Sequence, residues 1–167
     1  MAERLTVIDG RTLEYKGLFE PRELYTVIDQ LFREHGFDKK EFKNSEHVYK
    51  DSKQIVLDLR PYKKLSDYVK VEVKIQIVGY KLKEVEIENK GLKKKMFNGL
   101  VEVKFSAYII TDYESAWETK PFYYMIRMLV DKFIYKGYIS EAKSELITIT
   151  NTAYDEVRSY LNMQRYT

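Results

Sequence analysis

An α+β fold is predicted: an antiparallel β-sheet meander with an N-terminal helix and two C-terminal helices, the last one long. Three patterns predict it. Apolar residues recur at helical spacing from Leu24 to His35. They alternate strictly with polar residues from Val69 to Ile77, and again from Val101 to Ile109. A third apolar series, spaced 4, 3, 4, 4, 3, runs from Ala142 to Tyr160. Together they give a sheet of four or five strands covered by helices.

The chain starts with Arg4–Ile8 and Arg11–Tyr15 on either side of Asp9-Gly10, a pair suited to a type I′ turn. The expectation is a small hairpin or a partly ordered arm. The first helix follows. Pro21 suits its first turn. Leu24, Val27, Ile28, Leu31, Phe32 and His35 form one stripe, and Arg22, Glu23, Asp29, Gln30, Arg33 and Glu34 take the other side. Gly36 stops the helix, and Phe37 folds back on its last turn.

Val48–Lys50 and Gln54–Arg60 flank Lys50-Asp51-Ser52-Lys53, which predicts a second hairpin. Val69, Val71, Val73, Ile75 and Ile77 then alternate with Lys70, Glu72, Lys74 and Gln76, so one sheet face is buried and the other wet. Val85 and Ile87 continue this strand past Gly79. Asn98-Gly99 is the strongest turn signal in the chain and predicts a hairpin tip. Beyond it, Val101, Val103, Phe105, Ala107 and Ile109 alternate with Glu102, Lys104, Ser106, Tyr108 and Ile110.

Two helices complete the order. One is expected from Lys120 to Tyr135, opened by Thr119 and Pro121 and closed near Gly137. It is apolar on most sides. The last is expected from Ser140 to Arg165, about 39 Å at ~1.5 Å per residue. Thr148, Ile149, Thr150 and Thr152 are poor helix formers, so packing must hold that stretch. Two uses fit the stripe Leu146, Ile149, Ala153, Val157 and Tyr160: covering the chain's own sheet, or forming a symmetric homodimer.

Composition sets the class. The 167 residues fit one domain spanning 1–167. With no cysteine, disulfides, thiolate metal sites and Cys nucleophiles are excluded. Met1 to Gly10 holds no basic stretch followed by an apolar run, so no signal peptide is expected. The most apolar segment, Phe122 to Ile134, is broken by Arg127, Asp131 and Lys132, so no spanning helix and no membrane partner are expected. A soluble, cytoplasmic protein follows. Abundant Lys and Glu, with four Gln, five Asn and no Cys, match the composition of thermophile proteins.

Catalytic signals are thin. The glycines form neither G-x-G-x-x-G nor a P-loop. His35 and His47 have no metal spacing, and His35 at a helix end suits contact with the last carbonyls. Asp112-Tyr113-Glu114, with Trp117 and Glu118, offers two carboxylates near aromatics. The plainer reading is that acids before a helix favour its positive end and that the Trp fills a core. Asp58 and Arg60 read as solvent-side strand charges. No enzyme activity, cofactor or metal is expected.

Charge is the clearest functional signal. Residues 50–104 hold fourteen Lys and Arg against eight Asp and Glu, a net +6, while residues 1–49 are net −2 and residues 105–167 net −1. Lys93, Lys94 and Lys95 stand near the Asn98-Gly99 tip. Lys70 and Lys74 share the wet face with Lys104 and Tyr108 if the strands pair in register. That is a platform for an RNA backbone, positioning phosphates without reading sequence. The alternative is that Glu72, Glu84, Glu86, Glu88 and Glu102 pair with these lysines across strands. No RNP-type aromatic run is present. The function expected is a non-enzymatic binding module for RNA or a ribonucleoprotein such as a ribosomal subunit, acting as a ribosome-associated stress or dimerisation factor.

Lys16-Gly17-Leu18-Phe19 leading to Leu24-Tyr25, and Thr111 to Glu118 leading to Lys120-Pro121-Phe122, resemble small uncharacterised archaeal proteins. These have the same order of helix, antiparallel sheet and apolar helix. The resemblance spans Lys16 to Tyr135, implies an archaeal source and brings no catalytic residues. A sheet followed by a long C-terminal helix is also similar to helix-grip proteins, which hold apolar ligands between the two. That analogy implies a carrier with a cavity between Val71, Val73, Ile75 and Phe122, Met125, Leu129. A protein-only oligomeric assembly factor is the remaining alternative.

Overall fold

The computed structural model describes residues 2–113, 125, 128, 129, 132 and 135–165. In chain order the described residues include β1 (Glu3–Phe19), α1 (Pro21–Glu34), β2 (Glu41–Val48), β3 (Lys53–Leu59), β4 (Tyr62–Lys64), β5 (Val69–Asn89), β6 (Leu92–Thr111) and α2 (Tyr135–Gln164). The six strands form one antiparallel sheet in the order β1-β6-β5-β3-β2, with β4 also paired to β5.

The meander expectation holds for β2, β3, β5 and β6. It fails for β1, which crosses to the far side of β6, so the link through α1 spans the sheet from one edge to the other. Asp9-Gly10 is accordingly no hairpin turn. β1 pairs with β6 from Glu3 opposite Thr111 to Phe19 opposite Phe97, and the register slips between Ile8 and Arg11. The pair of residues makes a bulge. Gly10 takes φ +65°, and its N–H donates to Ser106 Oγ at 3.1 Å. The long partner strand offers a full ladder that a local hairpin cannot match.

Asn98-Gly99 lies mid-strand in β6, with Gly99 opposite Gly17. The β5–β6 turn is instead Lys90-Gly91, at φ +50° and +80°, the two-residue I′ geometry. The reason lies at Leu82. A bulge between Tyr80 and Lys83 turns this side chain inward, over Gly79 and Gly99. A Cβ at either glycine would come within 2.7 Å of a Leu82 methyl. Both glycines are spaces for packing rather than turn signals.

Helix α1 ends as its sequence predicts. The Gly36 N–H donates to Arg33 O and the Phe37 N–H to Phe32 O, closing a Schellman motif with Gly36 at φ +76°. Phe37 packs edge-on against Phe32, ring centres 5.3 Å apart. Gly137, expected to close a helix, lies inside α2; a mid-helix glycine costs only about 1 kcal/mol relative to alanine. Of the expected apolar helix, Met125, Met128, Leu129 and Lys132 are described. They are helical and exposed.

One core joins the inner sheet face to both helices. Val71, Val73, Ile75, Val101, Val103 and Phe105 meet Leu24, Ile28 and Phe32 of α1 and Leu146, Ile149, Ala153, Val157 and Tyr160 of α2. The last five were the expected dimer stripe. They are buried within the chain, which is the other use that the stripe allowed, covering the chain's own sheet. Thr150 is buried too, its hydroxyl donating to Leu146 O at 2.7 Å. Packing thus holds the β-branched stretch in helical form.

Candidate nucleic-acid interface

Strand register decides which charges share a face. Odd residues of β5 from Val69 to Gly79 and of β6 from Val101 to Ile109 point to the core. The even residues between them point to the outer face, away from α1 and α2. Lys70 lies opposite Ile110, Glu72 opposite Tyr108, Lys74 opposite Ser106 and Gln76 opposite Lys104. Lys70, Lys74, Lys104 and Tyr108 therefore do share one face. Their neighbours extend it: Arg4 opposite Ile110 and Thr6 opposite Tyr108 on β1, Tyr62 opposite Glu72 and Lys64 opposite Lys70 on β4. On the other flank, Lys43 of β2 stands opposite Asp58 of β3.

The acids on this part of the face are committed. Asp58 is 7% exposed and receives two hydrogen bonds from Arg60, Nε to Oδ1 and Nη2 to Oδ2, each 3.1 Å. Glu72, equally buried, receives Arg4 Nη2 at 3.3 Å. Both were legible as charges, but their burial was not. Aromatic rings are interleaved. The Arg4 guanidinium sits 3.5 Å over the Tyr108 ring and that of Arg60 3.9 Å over Phe42. The Lys70 ammonium lies 5.6 Å from the Tyr62 ring centre and 5.4 Å from that of Tyr113. Further along, Glu14 stands opposite Glu102, so the positive zone ends beyond Lys104.

The lysine run behaves differently. Lys93, Lys94 and Lys95 flank the true tip at Lys90-Gly91, opposite Glu88, Ile87 and Glu86. Lys95 reaches Glu84 at 3.0 Å, which raises the lysine's pKa and lowers the glutamate's. Lys94 turns to α1, where it pairs with Glu23 and, at 3.4 Å, with Glu20. Burial opposes ionisation of Glu23, but hydrogen bonds from Lys94 and Tyr160 outweigh it and hold the carboxyl below its ordinary value. The Tyr160 hydroxyl donates to Glu23 Oε2 at 3.1 Å and accepts from the Glu20 N–H at 3.3 Å. Burial in this knot pushes the phenol's pKa up. Lys94 is thus a clamp between the hairpin and α1.

The remaining candidates are dispersed. His35 is exposed, its Nδ1 2.8 Å from Leu31 O, and His47 lies on the outer side of β2. Asp112 is buried at φ +51° with its N–H on Tyr68 O. Tyr113 donates to Ser66 O at 2.9 Å. Glu114, Trp117 and Glu118 lie outside the described residues, as does Phe122 of the expected cavity. Met125 and Leu129 are exposed, while Val71, Val73 and Ile75 are buried in the core shared with α1 and α2. A groove of about 750 Å³ opens elsewhere, between the start of α1 and the inner faces of β2, β3 and the β5–β6 hairpin. Its apolar part is Tyr25, Ile55, Leu57 and Phe97, and the pairs Glu46–Lys53 and Glu84–Lys95 line its rim.

Among the described residues no cluster of His, Asp and Glu could hold a metal, and no helix is long and apolar enough to cross a membrane. No family model matches the chain, and neither does any curated protein or solved structure.

Proposed function

We propose that the protein is a non-enzymatic binding module that takes RNA, free or in a ribonucleoprotein such as a ribosomal subunit, on the outer face of its sheet. One observation carries this reading. On the part of that face short of the Glu14–Glu102 pair, Arg4, Lys43, Arg60, Lys64, Lys70, Lys74 and Lys104 stand with two carboxylates, Asp58 and Glu72, each already held by an arginine. Such a surface attracts a polyanion over its whole area, and lysines meet phosphates as point charges. The Lys93–Lys95 run contributes less than its composition suggests, because Lys94 and Lys95 are ion-paired.

The test is fluorescence-anisotropy titration of labelled RNA at several salt concentrations. Binding should weaken steeply with salt. Changing Lys70, Lys74 and Lys104 together to Glu should abolish most of it and reduce the log–log salt slope by about two to three, at ~0.7–0.9 per lost phosphate contact. An unchanged slope rejects this face. Sedimentation of the protein with ribosomal subunits, lost on RNase treatment, distinguishes a ribonucleoprotein partner from free RNA.

A second reading rests on the groove beside α1, whose volume lies within the ~300–1,000 Å³ of small-molecule sites. A carrier of apolar ligands uses it. Thermal upshift with fatty acids or aromatic compounds, removed by Phe97→Asp, supports that reading; no shift with any of them discards it.

A further inference from the structure

We infer that the outer face takes single-stranded rather than duplex RNA, with bases stacked on Tyr62 and Tyr108; this rests on the RNA reading above. The register puts these two tyrosines in one row across the sheet, on either side of Glu72. One intervening strand separates them, so they stand about 10 Å apart. Cations flank this row on both sides. Lys64, Lys70 and Arg4 form the next row one way, and Lys74 follows the other way, each about 7 Å off.

A face built only for a duplex has no use for rings between its cations, because duplex bases are stacked inside and offer phosphates alone. Unpaired bases expose π-faces, and an aromatic row between two cation rows meets base and backbone together. The rings are held in place. Arg4 lies on one face of the Tyr108 ring at 3.5 Å, so a base there stacks on the guanidinium plane that the ring backs, and Lys70 lies beside Tyr62 at 5.6 Å. The acid in the row does not repel the strand unopposed, since Arg4 pairs with Glu72 at 3.3 Å. Stacking and phosphate contacts carry no sequence information, so the binding is tolerant of sequence.

The test compares a twelve-nucleotide oligouridine and a mixed-sequence single strand with a duplex of equal length, by anisotropy at fixed salt. Both single strands should bind more tightly than the duplex. Tyr62→Ala and Tyr108→Ala should each weaken single-strand binding by about 5- to 150-fold, the range for one lost base stack. Tyr62→Phe and Tyr108→Phe, which keep the ring, should bind within twofold of the parent, and the salt slope should stay constant throughout. The Phe variants and circular dichroism separate lost stacking from lost folding. Equal affinity for duplex and single strand, or Ala variants that bind like the parent, overturns the inference and leaves the RNA reading standing. Absence of salt-dependent binding to either nucleic acid overturns both.

Discussion

Arg60 holds Asp58 through two parallel hydrogen bonds of 3.1 Å on a sheet face that otherwise presents mostly cations. The pair spans residues i and i+2 of one extended segment, and β3 places it beside Gln76 of β5. Its side chains are largely covered, at 11% and 21% exposed. A bidentate pair so screened from water is stronger than a surface ion pair.

Asp58→Asn should therefore do two opposite things. It removes the charge-assisted acceptor and leaves a buried guanidinium half-satisfied, which should lower unfolding stability by about 1–3 kcal/mol in urea titration. It also removes one of two acids from the basic face, so RNA should bind more tightly at low salt. Weaker RNA binding together with full stability contradicts the electrostatic account of this face.

Lys94 makes stability depend on pH in a defined direction. Glu23 has its pKa lowered in the folded protein, so its contribution is present above the ordinary value of 4.5 and is lost as pH falls through the folded value. Lys94 has its pKa raised, so its contribution is present below 10.5 and is lost as pH rises through the folded value. Both side chains are about two-fifths exposed, so solvent screens the pair and the effect is modest. Lys94→Met should flatten the acid limb below pH 4.5 and the alkaline limb above 10.5. Urea midpoints across pH check this, and parallel curves for variant and parent refute the clamp.

Periodicity made the inner face readable. Helix α1, its Gly36-Phe37 stop and the buried stripe of β5 were legible because each is a local pattern that the core reinforces. Lys70, Lys74, Lys104 and Tyr108 were legible as one face because a period of two needs only correct register. The partner of β1 was not legible, since pairing Glu3 with Thr111 joins the first strand in sequence to the last, a contact that no local pattern records. The use of the α2 stripe was equally hidden. Leu146 and Val157 look the same in sequence whether they meet their own sheet or a second copy. Arg4 escaped notice because its role depends on β1 reaching β6. The commitment of Lys94 was missed for the same reason, since Glu20 and Glu23 lie some seventy residues away. An Asn-Gly signal at Asn98 misled because it describes backbone freedom, and here Gly99 supplies space.

That distinction between freedom and space yields a double-mutant test at Leu82. The three atoms nearest a Cβ at Gly79 would all be carbons of Leu82, Cδ1 first at 2.7 Å. A Cβ at Gly99 would meet Leu82 Cδ2 at 2.7 Å and also the carbonyl oxygens of Tyr80 at 2.9 Å and Lys81 at 3.1 Å. Gly79→Ala should cost about 1–3 kcal/mol by overpacking, and Leu82→Ala about 2–5 kcal/mol by loss of a buried side chain. Combined, the two should cost clearly less than their sum, because truncating Leu82 clears the space that the new methyl needs. Gly99→Ala should show no such relief, since backbone oxygens remain in its way and cannot be truncated. Urea denaturation of the single and paired variants gives both coupling energies. Additive costs for Gly79→Ala and Leu82→Ala would mean that Leu82 is not what keeps Gly79 small.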